Sequence, residues 1–478
     1  MLKLKRKQLK MVELIRLMKT LDQQVARCSR CGICQSVCPL YNVTKNESDV
    51  ARGKLMLLDG LMQSFFSDPK GVAKRLDRCL LCGSCEANCP RGVRVVEIFL
   101  NARMIISDYR GMPLFKKIIF RHLLSNPVLF DRIVSWGAKW QYLFFKKTNF
   151  QLDASCAKMV SPLLSKRCMV PLAPVPFNKI SSSLKSGLKQ ELKTESKPML
   201  KKDKPETGLK VAFFVGCLLD KVFPKVASDI VRILNFHGVQ VIIPPFQGCC
   251  GIPALSSGDH STFNRLVEHN LIQFDPSGFD YLVTGCATCT ATIKKIWPSM
   301  FKSGFKSGFK PEFKSELESA SEDQKAAVDQ IVEKIFDISQ FLVDVIGVPP
   351  LEKTNQQPPK SVVTYHDPCH LRKTLNIYSQ PRTLIESGNL YALKEMPDAA
   401  SCCGMGGSFN LAHYDLSAAI GEKKISSIEK TGASVVATNC PACMIQLSDM
   451  LSRQQKKIRV AHTVELYSET LQLSDVLE

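Results

Sequence analysis

Twenty cysteines in 478 residues fall into four blocks with two strays, and the first two blocks share one spacing, C-x-x-C-x-x-C-x-x-x-C-P. The first run is Cys28, Cys31, Cys34 and Cys38 before Pro39; the second is Cys79, Cys82, Cys85 and Cys89 before Pro90. Three thiolates on a tight loop reach three corners of one [4Fe-4S] cube, while the fourth, carried past a proline turn, points elsewhere. Where two such runs occur, the fourth thiolate of each serves the other cluster. The pattern predicts one cluster on Cys28, Cys31, Cys34 and Cys89 and a second on Cys79, Cys82, Cys85 and Cys38. That exchange binds both segments into one electron-carrying domain. Zinc sites and disulfides also use close cysteines, but zinc sites usually separate paired C-x-x-C units by a longer stretch.

The length exceeds what one core accommodates and suggests about three domains. No apolar run approaches the roughly 20 residues that span a bilayer; the longest candidate, around Val211 to Leu219, reads as a buried strand. Met1 to Lys10 is basic but no long apolar stretch follows, so a secretory signal is not expected. So many metal-type thiols call for a reducing compartment, and the expected location is the cytoplasm.

The net charge of +20 is localised. Residues 1–30 hold nine Lys/Arg against two acids, 101–150 nine against two, and 151–210 twelve against five, leaving the rest near neutral. No nucleic-acid motif accompanies the charge, so nucleic acid is not an expected partner. An anionic membrane face or an acidic partner subunit fits better. Within Arg110 to Phe150, aromatic and aliphatic residues alternate with Lys and Arg, as in Phe115-Lys116-Lys117-Ile118-Ile119-Phe120. Two readings are open: an amphipathic surface lying on the inner face of the cell membrane, or helices that pack on the next domain.

Helical periodicity is expected over Leu9 to Ala26 and Val50 to Phe66. The chain divides into a helical two-cluster domain over 1–108, a basic helical connector over 109–178 and a Ser/Lys/Glu/Pro-rich linker over 179–209. A first cysteine-rich domain follows over 210–347, with an insertion over 301–323 that contains a Phe-Lys-Ser-Gly repeat. A Pro-rich linker over 348–360 leads to a second cysteine-rich domain over 361–478.

Those last two domains are copies. Cys217, Cys249-Cys250 and Cys286/Cys289 recur as Cys369, Cys402-Cys403 and Cys440/Cys443, at offsets of 152 to 154 residues. Each copy reads as strand, cysteine, helix, strand, Cys-Cys-Gly, helix, strand, C-x-x-C, helix, which predicts a parallel α/β sheet. Turns at the carboxyl ends of such strands converge, so the five thiols of each copy meet at one edge. The fold class is therefore α+β multidomain: a helical dicluster domain, then two duplicated α/β domains.

The spacings C-x(31)-C-C-x(35)-C-x-x-C and C-x(32)-C-C-x(36)-C-x-x-C fit no zinc ribbon or thioredoxin pattern. Adjacent cysteines suit a less regular cluster than a cube, and the glycine after each pair permits φ > 0 or close backbone approach. A closed zinc site and buried inert thiols are the alternatives. His366 and His370 flank Cys369 and are candidate ligands, although a histidine at a strand end more often hydrogen-bonds its neighbours. Cys156 and Cys168 lack such company and read as ordinary thiols. Gly404-Met405-Gly406-Gly407 is out of step with a dinucleotide loop. With no flavin, nicotinamide or P-loop motif in the chain, a hydride-accepting cofactor is expected on another subunit.

Two cluster runs followed by two Cys-Cys-Gly domains resemble the iron-sulfur subunit of glycolate oxidase over nearly the whole chain. Arg27-Cys28-x-x-Cys31-Gly32-x-Cys34, Asp77-Arg78-Cys79-Leu80-x-Cys82, Cys89-Pro90-x-Gly92-Val93 and His366-Asp367-Pro368-Cys369-His370 carry the likeness. The resemblance implies an FAD-containing partner that oxidises glycolate or D-lactate, and electron delivery toward membrane quinone. Related subunits of anaerobic glycerol-3-phosphate dehydrogenase and heterodisulfide reductase share the cysteine-rich domain, and in the latter it holds non-cubane clusters that act on a disulfide. By that analogy Cys217, Cys249, Cys250, Cys286 and Cys289 form one ligand set, and Cys369, Cys402, Cys403, Cys440 and Cys443 the other. The Phe-Lys-Ser-Gly insertion and the Lys-rich linker depart from the family pattern outside the ligand blocks.

Overall fold

A computed structural model describes residues 2–144, 146–148, 151–153, 167–181, 207–301, 321–348 and 361–473. The linker over 348–360 beyond Val348, most of that over 179–209 and most of the insertion over 301–323 lie outside those residues, as does Cys156.

The amino-terminal region is helical. Leu2–Met18 forms the opening helix, which begins seven residues earlier than its apolar pattern suggested because the basic run Lys3 to Lys7 masks the periodicity. Ala51–Met62 and Val95–Arg110 complete its framework, and Leu14, Leu55, Leu58, Ile98 and Ile105 bury their side chains between them. Asn46 and Val50 open the turn and helix between the two cysteine runs.

The connector is not wholly helical. After Leu114–Lys117, Ile118–Leu124 and Pro127–Phe144 come three short strands, β1 (Lys146–Thr148), β2 (Gln151–Asp153) and β3 (Cys168–Met169), paired antiparallel in that order. Cys168 sits on β3, where its backbone N–H donates to Asp449 Oδ1 at 2.8 Å.

Each duplicated region is a four-stranded parallel sheet. The first holds β4 (Lys210–Phe213), β5 (Gln240–Ile242), β6 (Tyr281–Thr284) and β7 (Ile335–Asp337) in the order β5-β4-β6-β7. The second holds β8 (Ser361–Tyr365), β9 (Tyr391–Leu393), β10 (Val435–Thr438) and β11 (Arg459–His462) in the order β11-β10-β8-β9. Both therefore run second, first, third, fourth. The central strands are apolar on both faces, as helices on either side of a parallel sheet require, and β10 is buried at all four positions. The fourth strands, β7 and β11, are additions to the expected three. Residues 321–323, read as the end of the insertion, belong instead to a capped helix: Ser321 and Gln324 form a reciprocal capping box at the start of Glu322–Lys334.

The three regions share cores. Leu100 and Met104 of the last dicluster helix pack among Phe214, Phe263 and Leu282 of the first copy. Leu384, Met444, Val464 and Tyr467 of the second copy pack with Ile230, Ile233 and Phe341 of the first. Leu40 and Leu80 pack against Phe409 and Ile420. Arg103 ties the cysteine loop of the second run to the first copy, because its buried guanidinium donates to Leu76 O (2.6 Å), Cys79 O (2.7 Å) and Ser256 O (2.8 Å). Arg103→Ala strands three carbonyls and is expected to cost roughly 3 kcal/mol or more. Urea unfolding of the full chain measures it, and an unchanged midpoint would contradict this role.

Candidate metal centres

Both cluster runs fold into loops of the same backbone shape. Arg30 and Leu81, one residue before the second cysteine of each run, adopt φ of 58° and 54°. Such values are uncommon for side-chain-bearing residues, and their recurrence at equivalent places marks a shared constraint. Short helices Ile33–Ser36 and Ser84–Ala87 then carry the third cysteines. One small cavity is lined by Cys28, Cys31, Cys34, Cys85 and Cys89, and another by Cys38, Cys79, Cys82 and Cys85. All eight are free thiols. The fourth cysteine of each run thus lies beside the first three of the other. Donor type, number and grouping fit two cubanes.

Burial raises the thiol of Cys38 to about 11 and also pushes that of Cys85 up. Lys54 counters this charge cost: its ammonium, buried beside Cys38 and Cys79, is lowered by burial and raised by those thiols, and donates to the Asp49 carbonyl. Its neighbourhood to the thiols was not foreseen from Arg52-Gly53-Lys54.

In the two copies, Cys217 follows β4, Cys286 follows β6, Cys369 follows β8 and Cys440 follows β10. The order second, first, third, fourth puts the topological switch point between the first and third strands, where ligands of open α/β sheets bind. The Cys-Cys turns complete each edge. Gly251 and Gly404 adopt φ of 93° and 96°, and a Cβ on Gly404 would lie 2.5 Å from Ser417 O. Trp297 Nε1 donates to Cys250 O at 3.0 Å, and Ser417 Oγ donates to Gly404 O at 2.8 Å, so both turns are held from behind.

The two carboxyl edges face each other across one cavity of about 540 Å³, lined by all ten of these cysteines and by Cys82. The thiols form an unbroken succession. In the first copy Cys217 lies 4.0 Å from Cys249, which contacts Cys250, which contacts Cys289 and so Cys286. Cys286 neighbours Cys440 across the junction of the copies. Cys440 contacts Cys443, Cys443 lies 3.4 Å from Cys403, and Cys402 and Cys369 follow. Cys369 and Cys402 both neighbour Cys82 of the dicluster loop. Hydrogen bonds from neighbours hold four of these thiols well below their usual range: Cys82 from Cys369 and Cys402, Cys250 from Cys249 and Cys289, Cys403 from Cys402 and Cys443, and Cys440 from Cys286 and Cys443. The same contacts, with burial, push their neighbours Cys249, Cys289, Cys402 and Cys443 the other way.

Two lysines offset the charge at the second copy. Lys373 Nζ donates to Ser84 Oγ at 2.5 Å and lies 4.0 Å from Cys369 Sγ; burial opposes its charge, but Cys369, Cys82 and Cys402 raise it. Lys424, pushed down to about 8 by burial, donates to Asp398 O (2.7 Å) and Ala399 O (3.2 Å) in the loop before Cys402. Lys373 stands one helical turn after Cys369, the only sequence signal for either. His370 Nδ1 pairs with Thr288 Oγ1 at 3.0 Å, and that hydroxyl lies 3.5 Å from Cys440 Sγ. His366 Nδ1 or Nε2, Cys403 Sγ and Cys443 Sγ lie within 4.8 Å of one another.

Family models match the same regions: a 4Fe-4S dicluster domain over residues 24–93, and a cysteine-rich domain twice, over 211–294 and 363–448. The chain belongs to the iron-sulfur proteins that join these domains. It carries 4Fe-4S clusters. The likeness reaches the probable glycolate oxidase iron-sulfur subunit of Bacillus subtilis (strain 168), 26% identical over 94% of both chains. A subunit of the CoM/CoB fumarate reductase of Methanothermobacter marburgensis is 26% identical over 82% of this chain and 72% of its own. Lactate utilization protein A 2 of Bacillus cereus (strain AH820) is 28% identical over 55% of this chain and 99% of its own. Among the described residues no helix is long and apolar enough to cross a membrane.

Proposed function

We propose that this chain is the electron-transfer subunit of an FAD-linked 2-hydroxyacid oxidase or dehydrogenase. Glycolate or D-lactate is oxidised on a partner that holds the flavin, and electrons leave toward membrane quinone. The observation that carries the reading is the thiol succession from Cys82 through both copies, together with full-length likeness to the Bacillus subtilis subunit. Bound iron-sulfur clusters supply one-electron steps, which a two-electron flavin partner can feed. The chain's own part is to hold and bury them. Cys28, Cys31, Cys34 and Cys89 would hold one cubane, Cys38, Cys79, Cys82 and Cys85 the other, and the five cysteines of each copy a further centre. Lys54, Lys373 and Lys424 offset the negative charge that such centres bring into a buried site.

A second reading, reduction of a disulfide or quinone at the second copy, is favoured by the cavity of about 540 Å³ that both thiol sets face. Anaerobic chain mixed with an FAD-containing 2-hydroxyacid oxidase subunit is expected to be reduced by glycolate or D-lactate, and not without that partner. A chain with zinc in place of reducible iron would contradict the proposal. Cys402→Ala separates the readings: loss of disulfide turnover with cubane signals intact favours the second, and unchanged activity removes it.

The connector supplies a surface for the membrane arm of this reading. One side of Pro127–Phe144 packs through Ala138 and Gln141, while Ile133, Trp136 and Trp140 are exposed, Trp136 by 65%. Leu114, Phe115, Ile118 and Ile119 are exposed beside Lys116, Lys117 and Arg121. Apolar side chains flanked by cations suit an anionic lipid face. Flotation with anionic phospholipid vesicles is expected to capture the chain in a salt-sensitive manner and to lose most capture in the Trp136→Ser/Trp140→Ser double variant. Equal flotation of both proteins would contradict it.

A further inference from the structure

Among the positions at which the two copies differ, one lies directly behind the metal-binding edge. Phe214 follows β4 and donates its backbone N–H to Val283 O at 2.9 Å; His366 follows β8 and donates its own to Ala437 O at 2.9 Å. The hydrogen bonds make the two residues equivalent. Phe214 is buried and packs on Phe274, with ring centroids 5.4 Å apart. His366 is equally buried, at 0% exposure, yet neither of its ring nitrogens meets a hydrogen-bonding oxygen or nitrogen. An imidazole buried without such a partner is costly, and buried polar groups in folded proteins are nearly always satisfied. The polar company of the ring is sulfur. A ring nitrogen, Cys403 Sγ and Cys443 Sγ lie mutually within 4.8 Å.

We propose that His366 is an iron ligand of the second copy, so that this copy holds a mixed thiolate and imidazole centre while the first, with Phe214, is ligated by thiolates alone. The proposal rests on the reading that the copies bind iron. A nitrogen lone pair directed at a metal held by Cys403 and Cys443 gives the ring a stronger partner than the sulfur beside it. The side chain of Asp367, next in sequence, receives two hydrogen bonds from Arg382, at 2.9 and 3.1 Å, which hold the turn between β8 and Cys369. His370, the other histidine beside Cys369, already pairs with Thr288 and is not needed as a ligand. An imidazole ligand brings no negative charge to the metal, and imidazole ligation goes with a higher reduction potential than thiolate ligation alone. The copy that contacts Cys82 would then be the better electron acceptor of the two.

The test uses the full chain, prepared anaerobically with ¹⁵N-labelled histidine or at natural abundance, and pulsed EPR of the reduced protein. The dicluster region contains no histidine, which keeps its clusters out of the nitrogen signal. The expected result is a strongly coupled histidine nitrogen that responds to the isotope and vanishes in His366→Ala. His366→Cys is expected to keep the iron content, lose that coupling and shift the centre to lower potential, a response that a packing role would not produce. A full iron complement with no strongly coupled histidine nitrogen would overturn the proposal while leaving the iron reading standing. Iron confined to the dicluster region, with none attributable to the copies, would overturn both.

Discussion

Everything in this molecule depends on bringing charged sulfur into a dry interior. Ten cysteines of the two copies and Cys82 surround one cavity, and any metal centre they hold brings thiolate charge with it. Such a cluster of negative charge is unfavourable in low dielectric unless cations or donors offset it. Parallel sheets solve the geometric half of the problem. Their carboxyl edges gather ligands from separate strands, and two sheets set edge to edge give one cavity with two equivalent shores.

The electrostatic half is met unevenly. Lys373 and Lys424 serve the second copy and Lys54 the dicluster loop, whereas at the first copy Lys295 lines the cavity and the Trp297 indole and the Asn270 amide hold the Cys-Cys turn by its carbonyls, Asn270 donating to Cys249 O at 3.0 Å. Duplication thus left two sites alike in backbone and different in charge and ligand type. A difference of that kind sets a direction for electrons, because potential follows local charge, hydrogen bonds to sulfur and burial.

Much of this was legible in the chain. Ligand spacing is a local property, so the paired runs, the duplication and the glycines after Cys250 and Cys403 could be read directly. The central strands were visible as short apolar runs. What escaped was non-local or masked. β7 and β11 are brief, and Ile335-Phe336-Asp337 follows a helix without any turn residue to announce it. The basic run at Lys3 to Lys7 hid the start of the first helix. Contact of Cys82 with Cys369 and Cys402 joins segments about 290 and 320 residues apart and has no sequence signature. The Phe214 and His366 pair could have been found by laying the two copies over one another, since both precede a ligand cysteine by three residues.

The central claim is that the dicluster domain and the second copy form one continuous path with Cys82 at the joint. Stepwise anaerobic reduction, with EPR spectra recorded at two microwave frequencies, tests it directly. Metal centres in contact through Cys82, Cys369 and Cys402 are predicted to give split or broadened, frequency-dependent signals once both are paramagnetic. Spectra that remain a simple sum of isolated centres at every stage of reduction would contradict the account.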